Sequence, residues 1–279
     1  MPNRFNTTAY RYPSEYGILA GTVILVLLVI GLTAAATLCG SVLFMAFILF
    51  LSYNASTAQH NQLLRHAMQI TKQDRSGLAE AITECALRLQ VEPVQVFVVP
   101  SRTFNAYTFG LSSPKAIVLY EPLLQVMDRE ELQFVIGHEM GHVRLGHTWL
   151  NSLVGGMAGI PSTASAALLL VLALRSWNRA CEYSADRAGL LACAAPDKAV
   201  TALIKLEAGA DAGIDGLDTD DIRRAIQRIE TQDDDWVNNL GELVATHPMI
   251  IKRIQELRQY TRSGEYRTLQ SQVNQNLLT

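Results

Sequence analysis

Two histidines four residues apart, with a glutamate beside the first, form the string His138-Glu139-Met140-Gly141-His142. On a helix, residues four apart lie on the same face, so both imidazoles can reach one Zn²⁺. Glu139 would then lie near a water on the metal and can act as its general base. A chain of this length contains such a string by chance roughly once in a hundred times, so the spacing favours a metal site over two unrelated surface histidines.

The residues around this string predict the helix that must hold it. Asp128 is suited to the N-cap position, and Glu131 follows three residues later, which is the spacing of a capping box. Apolar residues recur at helical intervals along the run, at Leu132, Val135, Ile136 and Val143. Gly146 ends the pattern, so both histidines are expected in the middle of a helix.

The third metal ligand decides the class of enzyme. His147 lies five residues beyond His142, whereas metzincins require a third histidine six residues beyond the second, with a glycine between. We therefore expect His147 to be a solvated residue at the helix end, where its charge interacts favourably with the helix dipole. Glu182 is the stronger candidate, and Asp186, one turn later on the same face, could orient a ligating imidazole. The alternative is an ordinary acidic face paired with Arg179 and Arg187.

The two motifs together resemble those of the HtpX-like membrane zinc metallopeptidases, which share a family with the type I CaaX prenyl endopeptidases. In this sequence His138–His142 is followed about forty residues later by Glu182–Asp186, and the resemblance spans roughly Val94–Leu257. Two shorter segments are also similar to family elements, namely Asn105-Ala106-Tyr107 with Gly110, and Thr246-His247-Pro248 followed by Lys252-Arg253-Ile254. Met249 stands where the family commonly has a second proline.

The resemblance implies a ligand set and a mechanism. One Zn²⁺ per chain would be held by His138, His142 and Glu182, with Glu139 as the catalytic base. The resemblance also implies that His247 donates a hydrogen bond to the oxyanion of the tetrahedral intermediate. By itself, a His-Pro pair after an apolar stretch is most often part of a turn.

The fold predicted for the catalytic region is α+β and mainly helical, zincin-like, with a small sheet. Hydrophobic periodicity predicts an amphipathic helix at Leu78–Leu89 and strands at Val94–Val99 and Ala116–Tyr120. An exposed strand edge beside a zinc site can hold an extended peptide by β-augmentation. Asn105 and the Gly110–Pro114 loop are expected at such an edge, with Asn105 binding substrate, although a plain hairpin turn is equally compatible with these residues.

The composition indicates a membrane-associated protein. The chain of 279 residues is 49% hydrophobic and 18% charged, and its positive mean hydropathy is unusual for a wholly soluble domain of this size. A net charge of −3 and the lack of a basic run argue against nucleic acid as a partner. The four scattered cysteines fit a reducing compartment, and Cys181 and Cys193 are expected to fill the core.

The N-terminal region predicts a membrane anchor over residues 1–56, ahead of a metallopeptidase domain over 57–279. No charged residue occurs from Gly17 to Tyr53, and one helix of that length would run about 55 Å against a hydrocarbon core near 30 Å. We therefore expect two tight spans with a turn within Thr33–Ser41. One tilted span with an interfacial piece is the alternative, and the flanking positive charges leave the orientation open.

A second uncharged stretch, Thr148 to Leu174, separates the two zinc motifs. Because Glu182 must return to the side of the membrane on which the histidines lie, the chain crosses the bilayer an even number of times here. Two full crossings need about forty residues, which is more than this stretch provides. Pro161 and the glycines before it therefore predict a bent or re-entrant hairpin, giving an apolar insert over residues 148–177. A pair of helices packed on the soluble domain is the alternative.

These patterns predict a membrane-anchored, zinc-dependent endopeptidase that acts on proteins or peptides. The resemblance implies a role in membrane-protein quality control, in a multi-pass protein of a bacterial-type cytoplasmic membrane whose catalytic domain faces the cytoplasm. A CaaX-type prenyl-protein processing protease is one alternative, but those relatives have more membrane spans. A non-catalytic membrane scaffold is another, and the intact Glu139 argues against it. The oligomeric state is left open.

Overall fold

A computed structural model describes residues 9–36, 40–71, 77–100, 104–110, 113–148, 165–211 and 248–277. The helices are α1 (Glu15–Ala36), α2 (Gly40–Leu64), α3 (Gly77–Leu89), α4 (Glu121–Val126), α5 (Arg129–Leu145), α6 (Ser165–Cys193), α7 (Pro196–Asp211), α8 (Pro248–Arg262) and α9 (Gly264–Leu277). The strands are β1 (Met68–Ile70), β2 (Val94–Val99), β3 (Ala106–Phe109) and β4 (Lys115–Tyr120). The described part of the chain is therefore mainly helical with one small sheet, as predicted.

The four strands form one mixed sheet in the order β1-β2-β4-β3. Strands β2 and β4 are parallel and pair Val96 with Ile117, while β3 runs antiparallel to β4 and pairs Thr108 with Ile117. The two predicted strands are present as β2 and β4. Strand β3 lies at the edge of the sheet next to β4. Its four residues are all half-buried, which is too little periodicity to predict a strand.

Helix α5 lies at the centre of the domain and packs closely against α6. The close approach depends on Gly137 and Gly141, which leave no room for side chains on this face of α5. A Cβ atom added to Gly141 would lie 2.6 Å from the Cβ of Ala188, and one added to Gly137 would lie 2.3 Å from the Cβ of Ala192. These small residues bring the acidic face of α6 within reach of the histidines of α5.

The hydrophobic core lies between α5, α6, α3 and the sheet. Its largest fully buried side chains include Phe134, Ile136 and Met140 of α5, with Leu119 of β4. Tyr10, which precedes α1, is also fully buried in this cluster. Burial of this kind supplies most of the stability of a domain, so the residues ahead of the first helix belong to the folded core.

The N-terminal apolar region forms two helices. Helix α1 ends at Ala36 and α2 begins at Gly40, so the break lies inside the interval predicted for a turn. Among the described residues, Glu15–Leu32 is the one helical stretch long and apolar enough to cross a membrane, with a mean hydropathy of 2.2. The predicted number of spans and the predicted division at residues 56 and 57 stay predictions.

The predicted apolar insert over residues 148–177 is described in part. Residues 149–164 lie outside the described residues. From Ser165 the chain is helical and continues without a break to Cys193, so the last part of the insert belongs to the same helix, α6, as Glu182. Whether the insert enters the bilayer stays a prediction.

Candidate metal centre

The helix that carries the H-E-x-x-H string begins and ends as predicted. The Asp128 side chain accepts a hydrogen bond from the backbone N–H of Glu131, and the Glu131 side chain accepts one from the backbone N–H of Asp128. Gly146 ends the helix in the left-handed conformation, at φ 81°, which glycine adopts without strain. Both histidines lie in the middle of a capped helix, which fixes their positions.

Three potential ligand atoms converge between α5 and α6. The Nε2 atoms of His138 and His142 are 3.1 Å apart. The Glu182 carboxylate lies 3.4 Å from His138 Nε2 and 3.5 Å from His142 Nε2. The histidines are buried, whereas about a third (32%) of the Glu182 side chain is exposed. Two imidazole nitrogens and a carboxylate, open on one side, form a donor set that fits a metal with one free coordination position.

Asp186 contacts the first histidine of the string, His138. Its Oδ1 lies 3.0 Å from His138 Nδ1 and is fully buried. Burial by itself would raise the pKa of Asp186, but the nearby Arg253 guanidinium outweighs this effect and the pKa is lowered. An ionised Asp186 accepts the Nδ1 hydrogen of His138, which leaves the Nε2 lone pair directed at the convergence point.

Arg253 of α8 is also part of the site. The residue patterns do not predict this role, although Arg253 lies in one of the segments that resemble the family. It donates two hydrogen bonds to Asp186, at 2.8 and 2.6 Å. Its guanidinium also lies 3.3 Å from Glu182. The alternative of an acidic face paired with Arg179 and Arg187 does not describe this site, because these carboxylates face the histidines and Arg253.

Glu139 is buried and is held by the edge strand. The Thr108 hydroxyl of β3 lies 2.5 Å from Glu139 Oε2 and 3.3 Å from the Glu139 backbone oxygen. Among the described residues β3 pairs with β4 alone. Asn105, which directly precedes β3, is exposed, and its Oδ1 accepts a hydrogen bond from the N–H of Ala106. Its proposed contact with substrate stays a prediction.

The prediction that His147 is solvated is wrong. His147 is 1% exposed, with Nε2 3.0 Å from Glu15 Oε1 and Nδ1 3.0 Å from His142 Nδ1. Burial lowers the pKa of His147 to about 4. The physical reason is that the chain before α1 and the Trp177 ring of α6 cover the end of α5. Partners so far away in sequence leave no local signal.

His247 lies outside the described residues, directly before α8. Cys181 and Cys193 are buried free thiols, as predicted, and Cys85 is as well. Burial raises the pKa of the Cys193 thiol to about 11, so it does not provide a thiolate at neutral pH.

The arrangement is that of a metallopeptidase, in which two histidines and a neighbouring carboxylate can hold a metal beside a strand edge. The model of peptidase family M48 matches residues 71–261, and the chain belongs to this family. The predicted family is therefore confirmed.

Three curated relatives illustrate the similarity. The plastoglobule-localized metallopeptidase 48 of Arabidopsis thaliana is 30% identical over 74% of this chain and 62% of its own length. A protease HtpX homolog of Lactobacillus helveticus is 32% identical over 37% of this chain and 35% of its own length. Another, from Campylobacter curvus, is 25% identical over 69% of this chain and 77% of its own length. The chain thus spans less than two thirds of the first two relatives.

Proposed function

We propose that this protein is a membrane-anchored, zinc-dependent endopeptidase with a zincin-like catalytic domain. The observation that carries the proposal is the convergence of His138, His142 and Glu182 on one point, with Glu139 beside them on the same helix. The names of its relatives, two proteases and a metallopeptidase, support the same activity.

In this proposal one Zn²⁺ is held by the two histidines and Glu182. Bound there, zinc supplies Lewis-acid chemistry, which makes water more acidic and a carbonyl more electrophilic. Glu139 accepts the proton of the attacking water and then delivers it to the leaving amine. The Thr108 hydroxyl holds one oxygen of this carboxylate, so the base is positioned before substrate arrives.

The substrate is proposed to bind as an extended strand along β3. An added strand pairs through backbone hydrogen bonds, which are independent of side-chain identity. Thr108 joins β3 to Glu139, so a peptide on this edge would lie close to the base. Asn105 is positioned at the beginning of this edge, which supports its proposed role in binding substrate.

His247 is proposed to stabilise the oxyanion. The residue that follows it begins α8, and Arg253 on the second turn of that helix contacts Asp186 and Glu182. The start of α8 is therefore close to the metal centre, which supports the role that the family resemblance implies.

The metal centre is proposed to lie where α1 leaves the membrane. Glu15, the first residue of α1, is buried against Ser184 of α6 and His147. Helices α1 and α6 are in contact, and Glu15 at the start of α1 meets Ser184 in the later part of α6. Ser165 is 19 residues before Ser184, about 28 Å along a helix, so the uncharged start of α6 would accompany α1 into the bilayer. This supports the proposed entry of the insert into the membrane.

The biological role is proposed to be the removal of damaged membrane proteins from the cytoplasmic side of a bacterial-type membrane. The CaaX-type alternative would require a larger enclosed chamber than the apolar segments of this chain provide. The scaffold alternative is disfavoured because the base and all three candidate ligands are in place.

The decisive experiment uses the full chain in detergent and measures zinc content and casein cleavage together. Glu139→Gln should retain one zinc per chain and lose on the order of 10³-fold or more of the cleavage rate, because the amide cannot accept the proton. His66→Ala, an exposed histidine, is the matched control and should retain both. Substantial cleavage by zinc-loaded Glu139→Gln would refute the assignment of the base. Comparison of membrane proteomes with the wild-type chain and Glu139→Gln would identify the substrates.

A further inference from the structure

A row of buried groups links the first residue of α1 to the metal centre. Glu15 Oε1 is 3.0 Å from His147 Nε2, and His147 Nδ1 is 3.0 Å from His142 Nδ1. Glu15 and His147 are each 1% exposed, and His142 is 7% exposed. We propose that Glu15 and His147 are positioning residues that fix the tautomer and orientation of His142. This inference rests on the proposed role of His142 as a metal ligand.

The hydrogen positions follow from the distances. A ligating His142 must present a bare Nε2 to the metal, so its hydrogen lies on Nδ1. The 3.0 Å contact between the two Nδ1 atoms admits one hydrogen, so His147 Nδ1 is the acceptor. The hydrogen of His147 therefore lies on Nε2 and is donated to Glu15, which as a carboxylate can only accept. The negative charge of Glu15 thus sets the tautomer of His147. Through His147 it sets the tautomer in which His142 can bind a metal.

Glu15 is fixed from several sides. The Arg11 guanidinium pairs with Oε1, and the Ser184 hydroxyl donates to Oε2. Arg11 also donates to the backbone oxygen of Leu145, 3.0 Å away at the end of α5. The N–H of Tyr12 donates to Ser184 Oγ at 2.8 Å. The segment before α1 is therefore docked across the ends of α5 and α6, and it holds Glu15 with little freedom.

A second metal site is the competing interpretation of this cluster. One ligand atom each from Glu15, His147 and Cys181 lies within 4.8 Å of the others. Both Glu15 oxygens already accept hydrogen bonds from protein donors, and Arg11 places a positive charge on the same carboxylate. A cation would have to displace these donors and remain beside the guanidinium, so the hydrogen-bonded row is the better account.

The proposed link from Glu15 through His147 to His142 can be tested by a double-mutant cycle on zinc affinity. The full chain in detergent, as wild type, Glu15→Gln, His147→Leu and the double variant, is titrated with zinc against a competing chelator. Each single change should weaken zinc binding roughly 10–100-fold, the usual range for groups that orient a ligand. Because the two residues act in series, the double variant should bind no more weakly than His147→Leu. The Co²⁺-loaded variants should also show altered absorption bands, which a loss of global stability alone would not produce.

Two further variants supply controls. Tyr12→Phe removes the hydroxyl that donates to Glu256, 3.3 Å away, and leaves the row intact, so zinc affinity should not change. His147→Asn keeps an acceptor near the Nδ1 position and should bind zinc more tightly than His147→Leu. Comparison of His147→Asn with His147→Leu tests the role of His147 even if Glu15→Gln fails to fold.

The outcomes separate this inference from the proposed function. Unchanged zinc affinity in His147→Leu, with loss in His142→Ala, would overturn the inference alone. Additive losses of zinc affinity in the double variant, or two zinc ions per wild-type chain, would also overturn the inference alone. A wild-type chain that binds no zinc would overturn the proposed function and this inference together.

Discussion

Replacing Gly141 by alanine should separate the two helices that build the metal centre. The added Cβ would lie 2.6 Å from the Cβ of Ala188 and 3.3 Å from the Cα of Ala185. Carbon atoms in contact are normally about 3.5–4.0 Å apart, so α6 must move by about 1 Å relative to α5. Metal–ligand distances tolerate roughly 0.2 Å, so Glu182 would be misplaced and zinc affinity should fall by on the order of 10²-fold.

The effect on folding stability is smaller and has two opposing parts. Alanine inside a helix is favoured over glycine by about 0.5–1 kcal/mol. Overpacking of a tight contact typically costs about 1–3 kcal/mol. The net change in the free energy of unfolding is therefore expected to be a loss of about 0–2.5 kcal/mol, which is why zinc affinity is the decisive measurement.

The assay is competition for zinc against a chelator, with thermal unfolding of the metal-free chain measured in parallel. Gly264→Ala is the matched control, because a Cβ at that position meets nothing within 4 Å and zinc affinity should not change. Ala188→Gly combined with Gly141→Ala removes the closest contact and should recover most of the lost affinity. Unchanged zinc binding in Gly141→Ala would refute the argument that this contact sets the position of Glu182.

Three other predictions follow from the site and its surroundings. Asp186→Ala should weaken zinc binding roughly 10–100-fold in the same assay, because His138 loses its orienting acceptor. Burial raises the pKa of Asp128, but the hydrogen bonds from Lys198 and from the N–H of Glu131 outweigh this effect and lower it. The ionised form therefore stabilises the fold above the unfolded pKa near 4, and this stability is lost as the pH falls through the folded pKa. The difference in unfolding free energy between wild type and Asp128→Asn should accordingly vanish in acid. Deletion of Met1–Asn54 should weaken zinc binding as well as remove the proposed anchor, and unchanged affinity would contradict this.

The parts of the structure that the sequence predicts are those with local or periodic signals. Helix α5 has a capping box, an apolar stripe and a terminal glycine within about twenty residues, so its limits follow from Asp128 and Gly146. Glu182 and Asp186 share a helix face because they are one turn apart, which any helix would produce. Strands β2 and β4 are apolar runs that are long enough to be predicted as strands.

The elements that the sequence does not predict depend on contacts between distant residues. Strand β3 has only four residues, and it exists because β4 offers a partner edge. Arg253 meets Asp186 across 67 residues of chain, with no pattern that connects them. His147 meets Glu15 across 132 residues, so its position at a helix end predicts solvent where the structure places a carboxylate.

Glu15 nevertheless has a physical signal that could have indicated its role. It stands alone at the beginning of a long uncharged stretch, where an unpaired carboxylate beside apolar surface would be costly. Such a residue either remains in water or finds partners within the protein. Here it finds Arg11, Ser184 and His147, and the last of these contacts His142. Helix α1 therefore begins beside the candidate metal centre, and two hydrogen bonds link its first residue, Glu15, to a proposed zinc ligand.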